Sequence, residues 1–164
     1  MSEYKASDIQ LARVQLELSI ATELGRLVIA FGDLVTGLYL CVAWFDGGKK
    51  LDERVTESAD QSVNWLINRI VKQSKTVLPA NSEGQRRYKA WADAAHQLRT
   101  DRNSLMHARW GFKPLEGIAM AVTSPILAKR VEERLVTPSD LSALASRAIA
   151  LCKELSALRS SYPI

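Results

Sequence analysis

From Leu27 to Phe45 the chain carries almost no polar side chains, and Asp46-Gly47-Gly48 follows at once. A helix needs about 20 apolar residues to span a bilayer, so this run raises the membrane question. Asp33 stands in its middle, where a bilayer would charge about 2.5–3.5 kcal/mol for it. Gly32, Thr36 and Gly37 lower its hydrophobicity further. The run therefore reads as the central helix of a bundle, apolar on all sides because neighbours surround it, and not as a membrane span.

The rest of the punctuation is helical too. Ser7-Asp8-Ile9-Gln10 has capping-box spacing, which predicts one long helix, or two in line, from Ser7 to Phe45. Leu11, Val14, Leu18, Ala21 and Leu24/Gly25 follow the helical period, and then the apolar surface widens to all sides. Asp52 as N-cap opens a second helix running to about Val77, with Val55, Ala59, Val63, Leu66/Ile67 and Ile70 facing inward. Pro79-Ala-Asn-Ser82 breaks the chain, and Ser82 with Gln85 starts a third helix, Glu83 to Arg109, ending near Gly111. Ala90/Trp91, Ala94/Ala95, Leu98 and Leu105 mark its apolar side. Between Trp110 and Ser124 the glycines and Pro114 predict a β-hairpin, with a further strand over Arg130–Val136. Thr137-Pro138-Ser139-Asp140 starts a final helix carrying Leu141, Leu144, Ala148, Leu151/Cys152, Leu155 and Leu158. No repeat or interdomain linker interrupts this, so residues 1–164 read as one helical domain.

Composition is that of an ordinary globular chain, 47% hydrophobic and 24% charged. Cys41 and Cys152 lie in apolar helical stretches without CxxC spacing, as buried reduced thiols of a cytoplasmic protein do. The polar N-terminus lacks signal-peptide architecture. No metal-ligand cluster is legible, and no cofactor or metal is expected. The net charge of +4 is uneven: residues 81–113 hold seven basic side chains against three acidic ones. Arg86, Arg87, Arg99 and Arg109 are thus candidate contacts for an RNA backbone, and a solvated helix face is the plainer reading.

That basic segment contains Arg102-Asn103-Ser104-Leu105-Met106-His107, an R-N-x-x-x-H pattern. Asn103 and His107 are an i,i+4 pair on one helix face. Arg102 falls in line with Leu98 and Leu105, so its charge must be paired, snorkel, or meet a subunit seam. His96, Thr100, Asn103 and His107 form a polar line on the other side. A titratable imidazole beside a fixed guanidinium suits metal-free RNA cleavage. The imidazole moves the proton of the ribose 2′-OH, and the guanidinium fork holds phosphate oxygens. A two-fold contact along this helix would bring two Arg/His pairs into one cleft.

On Arg102, Asn103 and His107, and on the order of long helices, motif, hairpin and C-terminal helix, the chain resembles the HEPN domains of prokaryotic toxins and defence systems. The sequence-specific part of the likeness is Leu98–Gly111. The resemblance implies an all-α bundle of about four to five helices with a short β-hairpin after the motif helix. It also implies a homodimer whose two motifs form a composite, metal-independent endoribonuclease site, acting in a toxin or phage-defence role beside an antitoxin or other defence partner. His107 would be general base or acid, Arg102 the transition-state stabiliser and Asn103 a supporting polar group. Some HEPN domains are non-catalytic dimerisation or interaction modules, which is the alternative. Toxins of this family that are controlled by a nucleotidyltransferase commonly carry Tyr two residues after the His. Here that residue is Arg109, followed by Trp110, so that control does not carry over.

Overall fold

The computed structural model describes residues 5–123 and 132–164. The described residues are mostly α-helical with one small antiparallel sheet, consistent with the expected all-α class. The helices are α1 (Ala6–Ala43), α2 (Leu51–Ser58), α3 (Val63–Val77), α4 (Glu83–Met106) and α5 (Pro138–Ser161); the strands are β1 (Arg109–Lys113), β2 (Ile118–Thr123) and β3 (Glu132–Val136). The residues group into two compact units: Met1–Ile29 with Asp101–Ser146, and Ala30–Thr100 with Arg147–Ile164.

In the first unit the sheet has strand order β1-β2-β3. The hairpin predicted after the motif helix is present, with Trp110 opposite Ala121 and Lys113 opposite Ile118. Gly117 closes its turn with φ +66°, a left-handed conformation that glycine adopts without steric cost. The further strand exists as β3, Leu135 pairing with Met120. Ser124, Arg130 and Val131, which belonged to the predicted hairpin and strand, lie outside the described residues. Ala119, Ala121 and Val136 are buried on alternate positions, while Leu135 points out. Leu16, Ile20, Leu27, Leu105, Leu141 and Leu144 are buried in the same unit. The predicted cap of α5 is reciprocal. Thr137 N–H and Oγ1–H donate to Asp140 Oδ2 at 2.8 and 2.7 Å, and Asp140 N–H donates back to Thr137 Oγ1. Those two donors hold the Asp140 carboxyl below the usual carboxylate range.

The periodic stripe on α1 faces outward. Leu11, Val14 and Leu18 are 60%, 51% and 68% exposed, and the face buried in its own unit is Leu16, Ile20 and Leu27. The helix is apolar on two opposite faces, so its period alone does not say which one turns inward. It also begins at Ala6, where Lys5 carbonyl takes the Ile9 N–H; Ser7 lies inside it with its hydroxyl on Asp8.

In the second unit Leu34, Leu38, Phe45, Leu66, Ile67, Ile70, Tyr88, Trp91 and Leu98 are essentially fully buried. The polar tips are satisfied: Tyr88 Oη donates to Tyr162 carbonyl and Trp91 Nε1 to Leu151 carbonyl, both at 3.0 Å. Cys41 is buried, which pushes its thiol up to about 12 and leaves it inert. The predicted second helix is two helices. Ser62 caps α3 by accepting the Trp65 N–H at 3.2 Å, and Asp52 lies inside α2 and does not cap it. Val55 and Ala59 consequently face out, and α2 buries Arg54 and Ser58 instead. The third helix stops at Met106, and Arg109 belongs to β1.

Arg54 locks the corner after α1. Asp46, Gly47 and Gly48 all have positive φ, and the buried guanidinium donates to Phe45 carbonyl and to the Asp46 carboxylate. It also lies over the Phe45 ring, 5.5 Å from its centre. Arg54→Ala strips the Phe45 carbonyl and the half-exposed Asp46 carboxylate of their shared donor and should cost about 1–3 kcal/mol of unfolding free energy. Arg54→Lys should restore little, because one ammonium cannot reproduce the fork. Guanidinium denaturation midpoints check this; a loss under about 1 kcal/mol for Arg54→Ala would reduce the clamp to a surface pair.

Candidate functional site

α4 ends because the chain must enter the sheet. His107 N–H still reaches Asn103 carbonyl at 3.2 Å, and Ala108 N–H tightens onto Leu105 carbonyl at 3.3 Å, a three-residue closure. Arg109 then pairs with Val122 in the β ladder. This exit releases the His107 side chain to solvent one turn beyond Asn103.

Arg102 and Asn103 are half-buried in that last turn. Arg102 Nη1 donates to Asn103 Oδ1 at 3.1 Å, so the amide orients the guanidinium. Leu105, between them and His107, is buried and anchors the turn. Asp101 stands at the start of the turn. Its Oδ1 takes Arg134 Nη1 from β3 at 3.4 Å, and its carbonyl takes Ser104 Oγ–H at 2.8 Å. The first unit thus brings Arg102, Asn103, His107 and the exposed Arg109 into one short stretch. Arg134 was not singled out by sequence reasoning; it lies far along the chain, and only the pairing of β3 with β2 fixes its level.

The other candidates belong to the second unit. Arg86 and Arg87 are exposed near the start of α4. Arg86 donates to Asn81 carbonyl, and Arg87 lies over the Tyr162 ring, 5.8 Å from its centre. Arg99 is half-buried, and its Nε is buried without a hydrogen-bond partner among the described residues. Arg86, Arg87 and Arg99 therefore do not share a unit with the motif. The second unit also has a cleft lined by Glu57, Trp65, Asn68, Arg69 and Lys72, which contains none of the predicted site residues.

His96, the second histidine, is in a different setting. Its Nε2 lies 3.3 Å from Asn68 Oδ1 on α3. Burial, and then the neighbouring Arg99, hold its pKa below the ordinary histidine value, against the opposing pull of Asp93. Among the described residues no group of three or more His, Cys, Asp or Glu could hold a metal ion.

No family model, curated protein or solved structure matches this chain.

The depressed pKa makes His96 a group that the unfolded chain protonates first. The stability it contributes is whole above 6.5 and is lost as pH falls through its folded value. In an NMR titration His96 should titrate below 6.5, and His96→Gln should flatten the fall in stability below neutrality. A His96 resonance titrating at or above 6.5 would contradict the assignment.

Proposed function

We propose that this protein is a metal-independent endoribonuclease of the HEPN type, its site completed by two copies of the chain, working as a toxin or phage-defence effector. The observation that carries the reading is the last turn of α4. There Arg102 is held by Asn103, and His107 stands exposed one turn on.

The chemistry follows from those side chains. His107 takes the proton of a ribose 2′-OH; the 2′-oxygen bonds to phosphorus and the bond to the 5′-oxygen breaks. The leaving oxygen needs a proton, and the second copy's His107 supplies it. Arg102 presents its guanidinium to the non-bridging oxygens as charge builds on them. Asn103 is a positioning residue through its hydrogen bond to Arg102. Arg109, exposed on β1, offers a further phosphate contact, and Arg86, Arg87 and Arg99 remain candidate RNA contacts of the other unit.

A second reading has its own support. The outward apolar face of α1 suits a non-catalytic dimerisation or interaction module.

Pure protein incubated with total RNA in EDTA should release fragments ending in 2′,3′-cyclic phosphate. His107→Ala and Arg102→Ala should each slow cleavage by about 10² or more. RNA affinity should change much less, because these groups act mainly in the transition state. His96→Ala, on the same helix but outside the motif, should cleave normally. Arg86→Glu with Arg87→Glu should weaken binding and its salt dependence while sparing the chemical step. Full activity in His107→Ala, freed of contaminating nuclease, would refute the mechanism, and intact RNA with the wild type would leave the module reading.

A further inference from the structure

The α1 stripe that turned out to face solvent has a period of its own. Leu11, Leu18 and Gly25 recur every seven residues, and Val14, Ala21 and Val28 follow each by three. That is the a/d spacing of a helix made to pack against another helix. The large members are well exposed: Leu11 60%, Val14 51%, Leu18 68% and Val28 43%, with Ile29 beside them at 68%. Leu16, Ile20 and Leu27, the face that is buried in this unit, lie about half a turn away around the helix.

Gly25 supplies an independent observation. A Cβ built there meets nothing within 4 Å, so its own chain has no need of the missing side chain. Glycine is a poor residue for a helix interior. Its use there fits a backbone approached closely from outside. Several polar groups beside the stripe bond within the helix. Ser19 Oγ donates to Gln15 carbonyl and Thr22 Oγ1 to Leu18 carbonyl, and Arg13 pairs with Glu17 and Arg26 with Glu23 on the flanks.

We infer that this face packs against the same face of a second copy, with the two α1 helices antiparallel. In that register a positions meet d positions of the partner helix, and each contact sets a larger residue against a smaller one. Leu18 meets Ala21, Val14 meets Gly25 and Leu11 meets Val28. A parallel pair would instead set Leu11 on Leu11 and Leu18 on Leu18 but Gly25 on Gly25, spreading one end and pinching the other. The seam from Leu11 to Ile29 is about 27 Å long. Doubled by symmetry, it suits the roughly 1,200 Å² that marks the lower edge of stable interfaces. α1 is also long and apolar enough to cross a membrane. Lipid is the poorer occupant, because Arg13, Glu17 and Arg26 flank the stripe with side chains 56%, 41% and 64% exposed. The inference uses no residue of the Arg102–His107 motif and stands whether or not RNA is cut.

Sedimentation at tens of micromolar tests it. The wild type should be a dimer, and Leu18→Glu should raise the dissociation constant about a hundredfold or more by placing a carboxylate in the seam. Its circular dichroism should match the wild type. If Leu18→Glu misfolds, Gly25→Leu is the second variant, since its side chain has open space in the single chain yet fills the seam. Mild oxidation of an equal mixture of Leu11→Cys and Val28→Cys should link 11 to 28, identified by mass spectrometry of the joined peptides. Leu11→Cys alone should form no bridge at that position, its two copies lying about 25 Å apart. A monomeric wild type, a dimer indifferent to both variants, or a bridge between two copies of Leu11→Cys would overturn the proposal. Binding of the wild type to phosphatidylglycerol vesicles that Leu18→Glu abolishes, without dimer in solution, would assign the face to lipid and overturn it too.

Discussion

The termination of α4 governs what the first unit presents. A helix continuing past Met106 would carry His107 on around its surface and leave no residues for β1. The chain instead tightens at Ala108 and enters the ladder opposite Val122. One local event thus frees the imidazole, starts the sheet and leaves Arg102 and Asn103 in a final turn anchored by buried Leu105. Arg134, reaching from β3 to Asp101, ties the far strand to the same turn.

Sequence punctuation located most elements because their ends are built from short-range hydrogen bonds. The Thr137–Asp140 cap is complete within four residues, and the Asp46-Gly47-Gly48 corner is forced by three positive φ values in succession. The break between Ser58 and Val63 was missed because no proline or glycine marks it; α2 stops at Ser58, and a serine cap at Ser62 starts α3. Burial of Arg54 was not legible either. Its partners, Phe45 carbonyl and Asp46, become neighbours only after the corner has formed, and an arginine in a helix ordinarily reads as surface.

The candidate site was partly legible for the same reason. Arg102, Asn103 and His107 share one helical turn, so spacing alone brings them together. The charge excess over residues 81–113 was legible only as a count. In the fold, Arg87 covers Tyr162, Arg86 caps the Asn81 carbonyl and Arg99 is half-buried, so several of those cations have structural work. A linear charge count says nothing about which side chains the core and the caps will claim.

Periodicity left the inward face of α1 open, and the reason bears on function. A helix with two apolar faces satisfies the helical pattern twice, and only the other elements decide which face they cover. The face left over here alternates large and small residues in a way that complements itself under two-fold rotation. Cleavage of RNA through a 2′,3′-cyclic phosphate needs both a base and an acid, and the motif of one chain offers a single imidazole, His107. The one imidazole at the proposed site and the self-complementary face of α1 are independent reasons to propose that the chain works as a pair. Under that proposal, symmetry would supply the second proton-transfer group without a second sequence motif.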